Sequence, residues 1–599
     1  MTTTAALPHW DMTVVYPGLD SPEFASGYAA VVTDITDLAD LFDKHAVGGE
    51  NTTPSDPAPV ATFDTVVERM NTVLSATHTL SAYIQSFVAT NSRDDLAQAK
   101  YSELQRHLVR LSQLSTRFTA WIGSLDVDAL LAGSAVARDH EYMLRRAQEQ
   151  ARHLMPPPEE ALAAELAVTG STAWSKLHGD LTSQLSVPLD IPGQPPTLPM
   201  AAVRNLAYDP DRAVRQAAYE AELRAWEGVA TPLAAALNSI KGETNTLIEH
   251  RHWESALDAA LFGNNIDRAA LDAMMTAARE SFPDFRRYLK AKARALGVPS
   301  LAWYDIFAPV GGGEGTWAFD HSADFIVKEF GTYSPKLSDY AARAFGERWI
   351  DAEPRAGKRD GAFCMWLRND ESRIMANFKP SFGGMSTLAH ELGHGYHNLN
   401  LAGRTPLQRS TPMTLAETAS IFCETIIRHA GLEHADADEQ IAILEASLQG
   451  SCQVVVDISS RFLFEQATFD SRQKRELSAQ ELNDLMLDAQ RQTYGDGLDE
   501  AALHPYMWAV KGHYYSAGRA FYNYPYMFGL LFGLGLYARY QQDADAFRTG
   551  YDDLLSATGL ADAATLAARF GIDIRTPDFW RASLDVIRGD INRFEELTA

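Results

Sequence analysis

Residues 385–397 read Met-Ser-Thr-Leu-Ala-His-Glu-Leu-Gly-His-Gly-Tyr-His, and the rest of the chain has to fold around what they require. Residues four apart share one face of a helix, so His390 and His394 can aim two imidazoles at a single point. Glu391 sits beside that point, near enough to take a proton from a water held there. His-Glu-x-x-His is a spacing suited to a metal such as zinc. Ser386 is a candidate N-cap, and Leu388 and Leu392 mark an apolar face that anchors the helix inside a folded body. Two ligands are too few, because a catalytic zinc takes three from the protein and keeps one position open. His397 shares the face but lies roughly 10 Å along the axis from His390, too far for one ion whose bonds are about 2 Å long. It is expected to stand behind the ligands or at the surface. The third ligand has to come from another segment.

That segment is expected within Thr414-Leu415-Ala416-Glu417-Thr418-Ala419-Ser420-Ile421-Phe422-Cys423-Glu424. Glu417 and Glu424 are seven apart, two turns of one helical face, in an otherwise apolar run. A carboxylate on such a face is costly to bury unless it binds a metal or pairs with a neighbour. Together, His390-Glu391-Leu392-Gly393-His394 and Ala416-Glu417-Thr418-Ala419-Ser420-Ile421-Phe422 resemble the M3 metallopeptidases, in particular the oligoendopeptidase F branch. The resemblance implies that Glu417 is the third zinc ligand. Glu424 is then the carboxylate that holds a ligand histidine in its tautomer.

The formal charge of −26 argues against nucleic acid and anionic membranes as partners, since both need Lys/Arg patches. Three widely spaced cysteines (Cys364, Cys423, Cys452) give neither a disulfide framework nor a thiolate metal site, so a reducing, cytoplasmic setting is expected. Met1 to Asp20 has no basic and apolar leader pattern. Ala520 to Ala538 carries no charge, yet its Asn523, Pro525, tyrosines and glycines suit a buried helix better than a membrane span.

Long Ala/Leu-rich segments with interspersed charge predict helices over most of the chain. Gly48 to Pro59 and Gly311 to Gly315 are expected loops. The prolines at 188, 192, 195, 196 and 199 predict an extended connection, and a domain boundary is placed there: 1–190 as an N-terminal helical domain, 191–599 as the catalytic one. Asp209-Pro210 is expected to open the next helix. Arg373 to Phe378 is the clearest strand beside the metal, and its Ala376 is expected to present backbone groups to an extended peptide.

Downstream, His513-Tyr514-Tyr515 and Phe521-Tyr522-Asn523-Tyr524-Pro525-Tyr526 gather polar aromatics that could donate to a carbonyl becoming an oxyanion. The block resembles the family's His and its Phe-Tyr-x-Tyr-x-Tyr run, which implies His513 and Tyr524 as stabilisers and Tyr522 as a substrate contact. Cys364-Met365-Trp366 stands where many relatives have a small Gly/Ser-rich turn.

The resemblance implies a mainly α-helical fold: two lobes enclosing a deep channel, with a small sheet beside the zinc. The implied activity is endopeptidase cleavage of short unfolded peptides, with one Zn2+ per chain held by His390, His394 and Glu417 and with Glu391 as base. A peptide-binding protein without catalysis is the rival reading. It has no need of a proton shuttle at Glu391.

Overall fold

The computed structural model describes residues 6–48, 60–311 and 315–599. Most of the expected 48–59 loop and the centre of the Gly311–Gly315 loop lie outside these residues. The fold is mainly α-helical, with five short strands among the described residues: β1 (Ser186–Pro188), β2 (Thr197–Pro199), β3 (Ile350–Asp351), β4 (Ala362–Arg368) and β5 (Glu371–Ala376). The chain packs into two compact units, and neither is a continuous stretch.

The first unit comprises Met1–Leu154, Gly315–Ala430 and Arg539–Leu566. Its helices Pro22–Lys44, Val60–Thr90 and Asp95–Ser124 pack on one another through apolar residues at helical spacing, among them Ile35, Leu38, Phe42, Val66, Val73, Leu80, Leu104 and Leu111. Burying each such side chain is worth about 1.5–3 kcal/mol. Leu367 of β4 and Met375 of β5 join this core and tie the sheet to the helices. The sheet order is β3–β5–β4, with β3 parallel and β4 antiparallel to β5. A tight turn links β4 to β5, with Asn369 at φ 45°, a backbone region that asparagine tolerates better than most residues.

The strand expected at Arg373–Phe378 is β5, shifted two residues towards the N-terminus, and it is the central strand. Ala376 is buried, paired with Ala362 across the ladder, and its carbonyl accepts from Lys358 Nζ at 2.7 Å. The open edge belongs to β4. Its edge, not Ala376, faces away from the ladder, though the Trp366 carbonyl there already accepts from the His78 ring at 2.8 Å.

The second unit comprises Met155–Glu314, Gly431–Ala538 and Ala567–Ala599. The proline-rich stretch forms the β1–β2 antiparallel pair, with Pro188 and Pro199 at strand ends, where a missing N–H disturbs the ladder least. The helix Arg212–His250 opens on Asp211, whose carboxylate accepts from the Ala213 N–H at 2.8 Å; Asp209-Pro210 stands just upstream. Helices Arg268–Ala295 and Pro577–Leu597 pack closely. The helical run Ala437–Arg472 is long and apolar enough to cross a membrane, but more than half of its apolar window is buried in the fold. It also carries a buried Glu465, 2.6 Å from the buried Lys241, which marks a core helix. Within this unit, the residues expected to form a buried helix open the helix Tyr524–Gln542, with Met527, Phe528, Leu531 and Phe532 in the core.

Candidate metal centre

The helix Phe382–Asn400 carries the two histidines. Its N-cap is Ser381, whose hydroxyl accepts from Gly384 N–H at 3.2 Å, so the helix starts more than a turn before the expected Ser386. Extended backbone at Ser381 after Lys379-Pro380 sets it up as the cap, and Gly383 and Gly384 lie in the first turn. Leu388 and Leu392 are fully buried, as their spacing predicts, and the helix lies against β4 and β5.

Glu417 does not sit inside a continuous helix. It links the short helix Met413–Ala416 to the helix Thr418–His434, at φ −87° and ψ 3°, a sparsely populated region where many active-site residues lie. That break turns its carboxylate back to the histidines. Glu417 Oε2 lies 3.3 Å from His390 Nε2 and 3.4 Å from His394 Nε2. Gly393 makes this possible: a Cβ there would stand 2.6 Å from both the Ala419 carbonyl oxygen and the Ser420 Cα. Two backbones meet where only glycine fits.

A tetrahedral ion with bonds of about 2.0–2.1 Å spaces its ligand atoms by ~3.4 Å, so the His390, His394 and Glu417 atoms already stand at coordination distance. A second observation fits a metal as well. Glu391 is 6% exposed, and its Oε2 is buried with no hydrogen-bond partner, as expected of an oxygen that serves a water on a metal.

Supporting groups fix each of these side chains. Glu424 Oε2 lies 3.0 Å from His390 Nδ1, which places the proton on Nδ1 and turns Nε2 toward the metal position. Ser386 Oγ donates to the other Glu424 oxygen at 3.4 Å. Ser420 Oγ donates to Glu417 Oε2 at 2.7 Å. His397 is buried, with Nε2 2.9 Å from Thr558 Oγ1, so it stands behind the ligands rather than at the surface.

The electrostatics follow from this crowding. Burial raises the Glu391 carboxyl to about 7, with Glu417 adding to the rise and His390 opposing it. Burial would also raise Glu417, but the two imidazoles and Ser420 hold it down at about 2. Burial works against charge on His390, yet Glu417 and Glu424 on either side carry its pKa well above 6.5. His394 is lowered to about 4, chiefly by burial.

These groups line a cleft of about 370 Å³ whose far wall is β4, through Ala362, Phe363, Cys364 and Trp366. Trp366 stacks on His78 with ring centroids 4.3 Å apart, and the Arg409 guanidinium lies 3.8 Å from its centroid. Cys364-Met365-Trp366, the departure noted in the sequence, lies in β4 and ends in this clamped indole.

Ser420, Gly393 and the β4 edge escaped sequence reasoning. The only signal for Ser420 was its place one helical turn beyond Glu417.

The second unit holds the aromatic block. Tyr524 is buried; its hydroxyl donates to the Ala260 carbonyl at 3.1 Å and accepts from Asn264 Nδ2 at 3.2 Å. The Tyr522 and Tyr526 hydroxyls are 2.9 Å apart. His513 Nδ1 lies 3.0 Å from Asn523 Oδ1. That oxygen also accepts from Arg461 at 3.1 Å, which orients the Asn523 amide and makes His513 Nδ1 the donor. Burial and the nearby Arg461 charge lower the His513 pKa, so the neutral ring offers Nε2 as an acceptor.

The sequence matches the description Peptidase family M3 over residues 205–310 and 327–586, and Oligopeptidase F over 123–186. An oligoendopeptidase F homolog of Lactococcus lactis is 23% identical, covering 98% of this chain and 97% of its own. The group B oligopeptidase PepB of Streptococcus agalactiae is also 23% identical, over 86% of this chain and 87% of its own. Among solved structures, a chain from Chlamydophila abortus superposes with a TM-score of 0.82 at 19% identity, covering 98% of both chains. Oligoendopeptidase-F from Enterococcus faecium gives 0.69 at 18%, covering 96% of this chain and 98% of its own. With its His-His-Glu cluster and these matches along its length, the chain belongs to peptidase family M3, in the oligoendopeptidase F group, and is a metalloendopeptidase.

Proposed function

We propose that the protein cleaves internal bonds of short, unfolded peptides with one zinc ion per chain held by His390, His394 and Glu417. The observation that carries this reading is the spacing of 3.3 and 3.4 Å from Glu417 Oε2 to the two imidazole nitrogens, with the unpartnered Glu391 oxygen buried alongside. Two imidazoles and a carboxylate without a thiolate form a donor set typical of catalytic zinc.

Zinc bound there lowers the pKa of water from 15.7 toward about 7 and polarises the scissile carbonyl. Glu391 takes the proton of the attacking water and delivers it to the leaving amine. Glu424 and Ser420 keep His390 and Glu417 aimed. The edge of β4, rather than Ala376, can offer backbone groups to an extended substrate, with the Trp366 carbonyl held by His78.

His513, Tyr522 and Tyr524 enter the proposal on the likeness of their block to the family's. As an acceptor at Nε2, neutral His513 suits a substrate N–H; it donates to an oxyanion only once protonated. Tyr524 donates to an oxyanion only by releasing the Ala260 carbonyl.

The test is cleavage of a mixed-length peptide library by the zinc-loaded enzyme, by the chelator-treated enzyme and by Glu391→Gln. Cutting at internal bonds that stops in both treated samples supports the proposal. Binding of peptides without cleavage in the zinc-loaded enzyme would favour the peptide-binding reading instead.

A further inference from the structure

The second unit contains a cavity of about 220 Å³ that the peptidase reading does not use. At ~30 Å³ per water it holds about seven waters, the room taken by a phosphate or the end of a peptide. Its wall carries three cations, Arg204, Arg215 and Lys511, against one carboxylate, Glu222. Glu222 takes the Arg204 guanidinium. Asp305, behind the wall, takes Arg215 at 3.0 Å, and the carbonyls of Asp209 and Pro210 take its other arm at 2.7 and 3.0 Å.

Lys511 is left over. Among the described residues its ammonium has no side-chain hydrogen bond, and the charges of Asp457 and Glu222 offset only part of the Arg461 and Arg204 repulsion. An ammonium held in a cavity without an acceptor is costly, and burial together with the Arg461 and Arg204 charges lowers its pKa to about 8. In a chain of net charge −26, a surplus cation turned inward is not a by-product of composition. Part of the remaining wall is aromatic: Tyr219 packs on Tyr304 at 5.4 Å and Tyr208 on Phe307 at 5.2 Å, with the amides of Asn205 and Gln453 beside them. Aromatic walls beside a cation without a hydrogen-bonded partner strengthen its attraction for an anion, and Asn205 and Gln453 add groups that can donate to one.

We propose that this cavity binds a small oxyanion, either free phosphate or the terminal carboxylate of an amino acid or peptide, with Lys511 as its counter-charge. The site stands on unit-two geometry alone and is independent of the metal.

The test reads Lys511 directly in the wild-type, zinc-loaded protein. Reductive methylation at pH 8 is followed lysine by lysine by mass spectrometry, with sodium phosphate, N-acetylphenylalanine or N-acetylphenylalaninamide added. A charge-assisted contact predicts about a 10-fold or greater slowing at Lys511 on saturation, and none at the exposed Lys290. Slowing by phosphate alone identifies an inorganic or phosphorylated ligand. Slowing by the acid but not its amide identifies a carboxylate terminus. No slowing beyond that of Lys290 with either anion overturns the site. Calorimetry with sodium phosphate and N-acetylphenylalanine gives a second reading: Lys511→Met loses saturable binding and Lys511→Arg keeps it. Wild-type affinity in Lys511→Met also overturns the proposal.

Discussion

Replacing Gly393 by alanine tests how the metal site is assembled without touching a ligand. The new Cβ would stand 2.6 Å from the Ala419 oxygen and from the Ser420 Cα, both backbone atoms that no rotamer change can move. Ordinary van der Waals contact needs about 3.5–4 Å, so the helix Phe382–Asn400 and the 417–420 backbone must part by ~1 Å. Glu417 and its Ser420 partner ride on the displaced segment. The Glu417 oxygen now lies 3.3–3.4 Å from the two nitrogens, and a ~1 Å retreat takes it out of reach of a metal bond of about 2 Å. The expected result is weaker metal binding by about 10- to 100-fold, turnover down by about 10²-fold, and a stability loss of about 1–3 kcal/mol from overpacking. Competition with a chelating dye measures the affinity, and kcat/KM on one short fluorogenic peptide measures the chemistry. Wild-type affinity and turnover in a folded Gly393→Ala protein would refute the argument that backbone contact at Gly393 sets the Glu417 position.

Glu391→Gln removes the base while keeping size, so metal content should hold and turnover should fall by on the order of 10²-fold or more; metal analysis beside kinetics checks both. Glu424→Ala frees His390 Nδ1, and a 10- to 100-fold loss of metal affinity is expected by dye competition. For Tyr524→Phe, donation to the oxyanion predicts kcat down by about 10²-fold at little change in KM, whereas packing against Ala260 and Asn264 predicts no change in kcat. Glu222 supplies a pH test: despite burial, His504 and Arg204 hold it down to about 2, against an ordinary 4.5. The folded state binds fewer protons, so this stability, about 3 kcal/mol, is present above pH 4.5 and fades as pH falls toward 2. Denaturation midpoints of wild type and Glu222→Gln should therefore converge between pH 5 and about 3.

The metal helix was legible because its information is local. His390, Glu391 and His394 need only the 3.6-residue period, and Leu388 and Leu392 show which face is buried. Glu417 was narrower ground: periodicity marked two carboxylates, and only likeness to a family chose between them. The structure supplies what periodicity could not, a helix break at Glu417 and a backbone contact at Gly393. Ser386 was a plausible cap by residue type alone, and Ser381 is the cap because the helix begins five residues earlier. The β4–β5 exchange has a different cause. Which of the two strands lies at the edge depends on β3, a two-residue partner with no pattern of its own. The division near residue 190 follows chain composition, whereas the packed units are built from segments far apart in sequence.

Zinc content in Glu417→Ala tests the central claim most directly. After equilibrium dialysis against buffered zinc, the wild type should hold about one ion per chain, as a three-ligand site predicts. The Glu417→Ala protein, correctly folded by circular dichroism, should lose it at the same free zinc. Retention of one tightly held ion in Glu417→Ala would contradict the assignment of the His390, His394 and Glu417 centre.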